Sequence, residues 1–186
     1  MRKNTGADFT NNELNNCSID DVGTWRRIYR LLNEVSVLPE DCGTLCNHAC
    51  CSTGGEEMGI YLFPGEHLIF KEQDVDKGWL EWEKQDAVRI GFSRSWKQPV
   101  YFAKCKTPPV CPRKWRPFQC RTFPLKPVFG DSGALELIWD DGDLPYSCPI
   151  IEQKMPIQDD FYRATYKVWS FLARDKRIFD LIMSWS

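Results

Sequence analysis

Residues 41–51 read Asp41-Cys42-Gly43-Thr44-Leu45-Cys46-Asn47-His48-Ala49-Cys50-Cys51, a CxxxCxxxCC pattern. If the stretch is helical, steps of four put Cys42, Cys46 and Cys50 on one face, with Cys51 about 100° round from Cys50. Three sulfurs on one face can converge on a metal ion. Cys51 then points elsewhere, towards a second ion or a multinuclear cluster.

The sequence on either side is regular at its ends and broken in its middle. Upstream, Val22, Trp25, Ile28, Tyr29, Leu32 and Val35 recur at three- and four-residue steps, which predicts a helix capped at Asp20 or Asp21 and stopped by Pro39. Residues 1–19 are polar and Asn-rich and read as a flexible leader to a single domain over 20–186. Downstream, Gly59 to Phe63 predicts a strand cut by the Pro64-Gly65 turn, and Glu66 to Glu72 a short helix. Val88, Ile90 and Phe92 alternate, as do residues 98–103 around Val100 and Phe102, which predicts a hairpin. A Pro- and Cys-rich loop runs to Pro127, and Ala134 to Trp139 predicts another strand. At the C-terminus, Phe161, Ala164, Thr165, Val168, Phe171 and Leu172 form one helical face, which Ile178, Phe179, Leu181 and Ile182 continue with some drift. Terminal helices bracketing short strands and loops predict an α+β fold.

Composition narrows the class. The chain has 186 residues, 42% hydrophobic and 27% charged, which suits a soluble globular protein with a real core. No apolar run approaches the roughly 20 residues of a membrane helix. Met1-Arg2-Lys3 and the polar residues after it lack a secretory h-region, so a cytoplasmic setting with reduced thiols is expected. A net charge of −2 argues against a chain that is basic all over and coats nucleic acid.

Nine cysteines then need an explanation. Cys42, Cys46, Cys50 and Cys51 form one group, and Cys105, Cys111, Cys120 and the later Cys148 a second, while Cys17 stands apart. Together these suit two four-thiolate sites or one cluster of several metals. All of the local positive excess falls in residues 104–128, which hold seven basic and no acidic side chains, against 24 and 26 for the whole chain. Four thiolates around Zn²⁺ leave a charge of about −2, and Arg113, Lys114, Arg116 and Arg121 are placed to offset it. Zinc is favoured as cofactor over iron or an iron–sulfur cluster. An iron–sulfur centre is the route to a redox or methyl-transfer enzyme.

Competing readings exist. Buried cysteines act as small hydrophobes, and cysteines in an oxidising compartment form disulfides. The basic stretch with Trp115, Phe118 and Phe123 also suits a cysteine-rich RNA-binding module or a solvated loop. His48 is a ligand or a loop side chain, and His67 reads as structural. There is no HExxH, no phosphate loop and no GxGxxG. Asp140, Asp141 and Asp143 read as a polar turn, Gly54-Gly55 as a turn, and Glu56, Glu57, Glu81 and Glu83 as solvated charges.

Three blocks resemble the YkgJ-like cysteine-cluster family of zinc- or iron-chelating domains. They are DCGTLCNHACC (41–51) followed by GIYLFPGE (59–66), CPRKWRPFQCRTFPL (111–125), and PYSCPI (145–150). The second carries the family's Cys, then RP, then CR-aromatic-P element. Three residues separate the first cysteines where the family more often has two, a spacing similar to a clostridial-type subgroup. The resemblance implies metal chelation by Cys42, Cys46, Cys50, Cys51, Cys105, Cys111, Cys120 and Cys148, and no particular reaction or protein partner.

Overall fold

The computed structural model describes residues 14, 16–52, 59–72, 77–93, 95–142 and 144–185. Its elements, in chain order, are α1 (Val22–Asn33), α2 (Ala49–Ser52), β1 (Gly59–Leu62), α3 (His67–Glu72), β2 (Leu80–Gln85), β3 (Val100–Cys105), α4 (Phe118–Thr122), β4 (Leu125–Phe129), β5 (Leu135–Trp139), α5 (Pro149–Glu152), α6 (Asp159–Leu172) and α7 (Lys176–Met183). The fold is α+β. β3 lies between β1 and β2 in a three-stranded antiparallel sheet, and β4 and β5 form a separate antiparallel pair.

The two strongest apolar stripes became the two longest helices. α1 buries Trp25, Ile28, Tyr29 and Leu32, and α6 buries Phe161, Val168, Trp169 and Leu172. Phe118 stands at their junction without exposed surface, its ring centroid 5.9 Å from Trp25, 5.4 Å from Phe63 and 4.9 Å from Trp169. Edge-to-face rings of this kind add to the burial itself. Leu14 and Ile19, within the stretch read as leader, are buried in the same core. The Ile19 carbonyl accepts a hydrogen bond from the Trp25 indole at 2.7 Å, and a Cβ at Gly65 (φ +79°) would collide with that carbonyl.

A buried polar network ties α4 to this core. Glu66, 1% exposed, accepts hydrogen bonds from the Phe118 N–H at 2.7 Å, the Tyr29 hydroxyl at 2.7 Å and the Phe63 N–H at 2.9 Å. Burial raises the Glu66 pKa, while these three donors and Arg121 oppose the rise. The Arg121 guanidinium lies 4.2 Å from the Tyr29 ring centroid and donates to Asn33 Oδ1 and to the carbonyls of Arg113 and Arg116.

Several expectations are corrected. The hairpin partner of β3 is Leu80–Gln85, and residues 87–92 are a turn. Asp86 Oδ1 accepts from the N–H groups of Val88 and Arg89, and Val88 is 74% exposed, so local Asp chemistry overrides the alternation. α1 ends at Asn33, well before Pro39. The Pro- and Cys-rich stretch read as a loop to Pro127 contains α4 and the start of β4. The drift in the C-terminal stripe marks a break: α6 and α7 are separate helices, and Asp175 caps the second by accepting from the Arg177 N–H. Gly54, Gly55, Glu56, Glu57 and Asp143 lie outside the described residues. No helix among the described residues is long and apolar enough to cross a membrane.

Candidate metal centre

Residues 42–51 do not form one helix, so the single-face reading of the cysteines fails. Cys42–Leu45 make a 3₁₀ turn capped by Asp41, whose Oδ1 accepts from the Gly43 N–H at 3.0 Å. Asn47 (φ +50°) and His48 (φ +57°) then reverse the chain before α2 begins. The His48 N–H donates to the Gly43 carbonyl at 2.9 Å, and a Cβ at Gly43 would collide with the His48 ring. Glycine is required there by close approach. His48 Nε2 is 3.4 Å from Asp41 Oδ2, which makes it a neighbour of the cap. The turn folds the segment back, and Cys42 and Cys50 come to line one cavity.

The other thiols come from three places. Cys105 ends β3 opposite Leu80, Cys111 precedes the 3₁₀ turn Arg113–Trp115, and Cys120 sits in α4. Cys148 is buried at the N-cap of α5. None of the nine cysteines is in a disulfide. Cys50 Sγ and Cys51 Sγ are 3.8 Å apart. A cavity of about 80 Å³ has Asp41, Cys42, Cys50, Arg116, Cys120 and Arg121 on its wall.

Electrostatics report the same convergence. Burial raises the Cys42 pKa, with further rises from Asp41, Cys46 and Cys148. Burial and then Cys111 and Cys51 raise Cys105; burial and then Cys105 and Cys51 raise Cys120 well above the thiol range. The Cys50 thiol hydrogen-bonds Cys51, which raises Cys50 and lowers Cys51. Burial opposes the charge of Arg116, yet a hydrogen bond to Cys111 and the proximity of Cys51 and Cys120 raise its pKa. Arg116 Nε is itself buried and has no hydrogen-bond partner. A buried guanidinium among thiols, incompletely satisfied, suits a site whose sulfurs become anionic.

The basic side chains named from the sequence divide. Arg116 faces the cysteines. Arg121 is turned to the Tyr29 ring and backbone carbonyls. Arg113 donates to the Val35 carbonyl at 2.9 Å and to Ser36 Oγ at 2.5 Å. Lys114 Nζ lies over the Trp115 ring, 5.4 Å from its centroid. Phe118, one of the aromatics offered for base stacking, belongs wholly to the core. Asp140 is 3.5 Å from Lys126 Nζ. His67 stacks on Tyr101 at 3.9 Å, and burial and Lys71 lower its pKa to about 4. Arg27 donates to Cys17 Sγ at 2.9 Å.

Tyr146 was missed. Burial raises its pKa first, and the charges of Cys50, Asp140, Cys148 and Cys120 raise it further. Only its place two residues before Cys148 hinted at this. Among the described residues, no three His, Cys, Asp or Glu side chains are already arranged as a metal-holding group. The donor chemistry fits a thiophilic ion, and ligation requires the sulfurs to draw closer. Compared with family models, curated proteins and solved structures, the chain matches none.

Proposed function

We propose that this chain is a metal-chelating protein that holds zinc, or iron, through Cys42, Cys46, Cys50, Cys51, Cys105, Cys111, Cys120 and Cys148. The observation that carries the reading is the gathering of thiols from distant chain segments around Arg116, whose charge is felt at Cys42, Cys51, Cys105 and Cys120. A core that only needed small hydrophobes has no use for a buried arginine among them. A thiolate site does, because the cation offsets the negative charge left after Zn²⁺ binds four sulfurs.

When bound, zinc would supply cross-links between loops and iron would supply redox chemistry. The chain's own residues do the rest. Asp41 and Gly43 shape the turn that presents Cys42 and Cys46. Phe118, Glu66 and Arg121 fix α4 and so the position of Cys120. Arg116 stabilises the ionised thiols. Reduced thiolates of this kind support a cytoplasmic setting.

Elemental analysis with a visible spectrum, on protein purified without oxygen, tests this. The expected result is bound zinc without colour, or bound iron with sulfide and a charge-transfer band. Metal-free protein whose thiols all react freely would contradict it.

A further inference from the structure

We propose that the cleft between α4, β4 and α6 is a binding site for an aromatic α-amino acid, whose ring is held by Phe123, Trp169 and Trp185 and whose charged groups are held by Lys126 and Asp140. The site uses none of the cysteines, so it stands or falls independently of metal binding.

The fold builds an aromatic recess there. A cavity of about 380 Å³ has Thr122 of α4, Phe123 just after it, Leu125 and Pro127 of β4, and Trp169 of α6 on its wall, with Trp185 completing it. That volume lies towards the lower end of the roughly 300–1,000 Å³ of small-molecule sites. The Trp169 and Trp185 rings stand 6.2 Å apart at 84°, so a flat ring can lie against one indole and meet the other edge-on. Phe123 also lines the cavity that holds Cys42, Cys50 and Cys120, so the α4 segment borders the thiols on one side and this cleft on the other.

The polar groups of the wall define what the ring must carry. Pairing of β4 with β5 sets Leu125 opposite Trp139, which brings Lys126 beside Asp140. Lys126 Nζ is 3.5 Å from Asp140 Oδ1 and 4.0 Å from Asp141 Oδ1, beyond the roughly 2.7–3.2 Å of a direct N–H···O bond. Opposite charges therefore stand side by side in the wall, and neither is saturated by the other. An α-carboxylate matches the lysine and an α-ammonium matches the aspartate, whereas a ligand with one charge satisfies one of the two. Trp169 supplies a further donor. It is 2% exposed, and its Nε1 is buried with no hydrogen-bond partner among the described residues. A ligand oxygen against this wall would give it an acceptor.

The test titrates the full chain, as purified, with L-phenylalanine and L-tryptophan by isothermal calorimetry, and follows the indole N–H resonances of ¹⁵N-labelled protein. Saturable binding is expected, with the Trp169 resonance among those that move. 2-Phenylethylamine, which lacks the carboxylate, and 3-phenylpropionate, which lacks the ammonium, should each bind at least about 10-fold more weakly than phenylalanine. Glycine, which lacks the ring, should not bind measurably. Lys126→Met should remove the advantage of phenylalanine over 2-phenylethylamine, and Asp140→Asn its advantage over 3-phenylpropionate. Both side chains are partly exposed, so both variants should keep native circular dichroism. No binding of either amino acid at millimolar concentration would overturn the proposal. So would single-charge analogues that bind as tightly as phenylalanine, which would show an apolar slot only. Unchanged phenylalanine affinity in both variants would place the ligand elsewhere and overturn it too. If a variant does not fold, the analogue series on the unaltered chain decides alone. Metal content, measured on the same sample, bears on the cysteine reading only.

Discussion

The aromatic core and the cysteine pole are built on opposite terms. In the core, Trp25, Phe63, Phe118 and Trp169 are almost completely buried, and the charged groups that enter, Glu66 and Arg121, are matched by donors and acceptors within reach. At the pole, six of the eight clustered thiols are half-buried, the backbone passes through short turns with two residues at positive φ, and Arg116 Nε is left without a partner. In the core the charged groups are matched, although Thr24 Oγ1, Thr165 Oγ1 and Trp169 Nε1 are also buried without hydrogen-bond partners. At the cysteines a buried cation lies among thiols whose sulfurs repel one another once ionised. On the proposed metal-binding reading, removing metal should loosen the cysteine loops while the aromatic core persists.

The sharpest way to break this contrast is to damage the core. Glu66→Ala orphans three buried donors and leaves Arg121 without its nearby carboxylate, and should cost about 3–5 kcal/mol in denaturant unfolding. Because α4 depends on Glu66, Cys120 should become more reactive to alkylation in the same variant. A cost within experimental error would mean that the network does not hold α4.

A change at the pole should spare the fold and affect the site. Arg116→Leu removes the cation beside Cys111, Cys51 and Cys120, and should weaken metal binding by roughly 10- to 100-fold in competition with a chromophoric chelator. Unfolding of the metal-free chain should move little. A variant that binds metal as tightly as the parent would show Arg116 to be a packing residue only.

How much of this was legible in the sequence depended on what each residue's neighbours are. Helical stripes such as Trp25, Ile28, Tyr29 and Leu32 announce themselves because they are local, and α1 and α6 were foreseen. Leu80, Glu81, Trp82 and Glu83 alternate as a half-buried strand should, but the pattern lasts only four residues and Glu and Lys are poor strand formers, while Val88, Ile90 and Phe92 imitate a strand that the Asp86 turn forbids. At the site, the thiols can be counted in the sequence, but their placement depends on the turn at Asn47 and His48 and on the anchoring of α4, the one conformationally unusual and the other non-local. The division of labour among Arg113, Arg116 and Arg121 likewise follows from which carbonyls and rings surround each.

Smaller effects sharpen the contrast from the core side. His67 has a folded pKa of about 4 against an ordinary 6.5, because burial and Lys71 disfavour its charge. A depressed histidine stabilises the fold above pH 6.5 and loses that contribution as pH falls through about 4. The parent chain should therefore lose on the order of 1 kcal/mol across that window, after allowance for the solvent around a half-exposed ring. His67→Phe, which keeps the stack on Tyr101, should not lose it. Parallel pH profiles for the two proteins would remove His67 from the account. Last, Glu81→Gln breaks an exposed pair with Lys106 and should leave the melting temperature and the metal content unchanged.

The most direct measurement is X-ray absorption at the metal edge of protein purified without oxygen. The account predicts a first shell of sulfur alone, at about 2.3 Å for zinc. A shell of nitrogen and oxygen, or no protein-bound metal to measure, would contradict it.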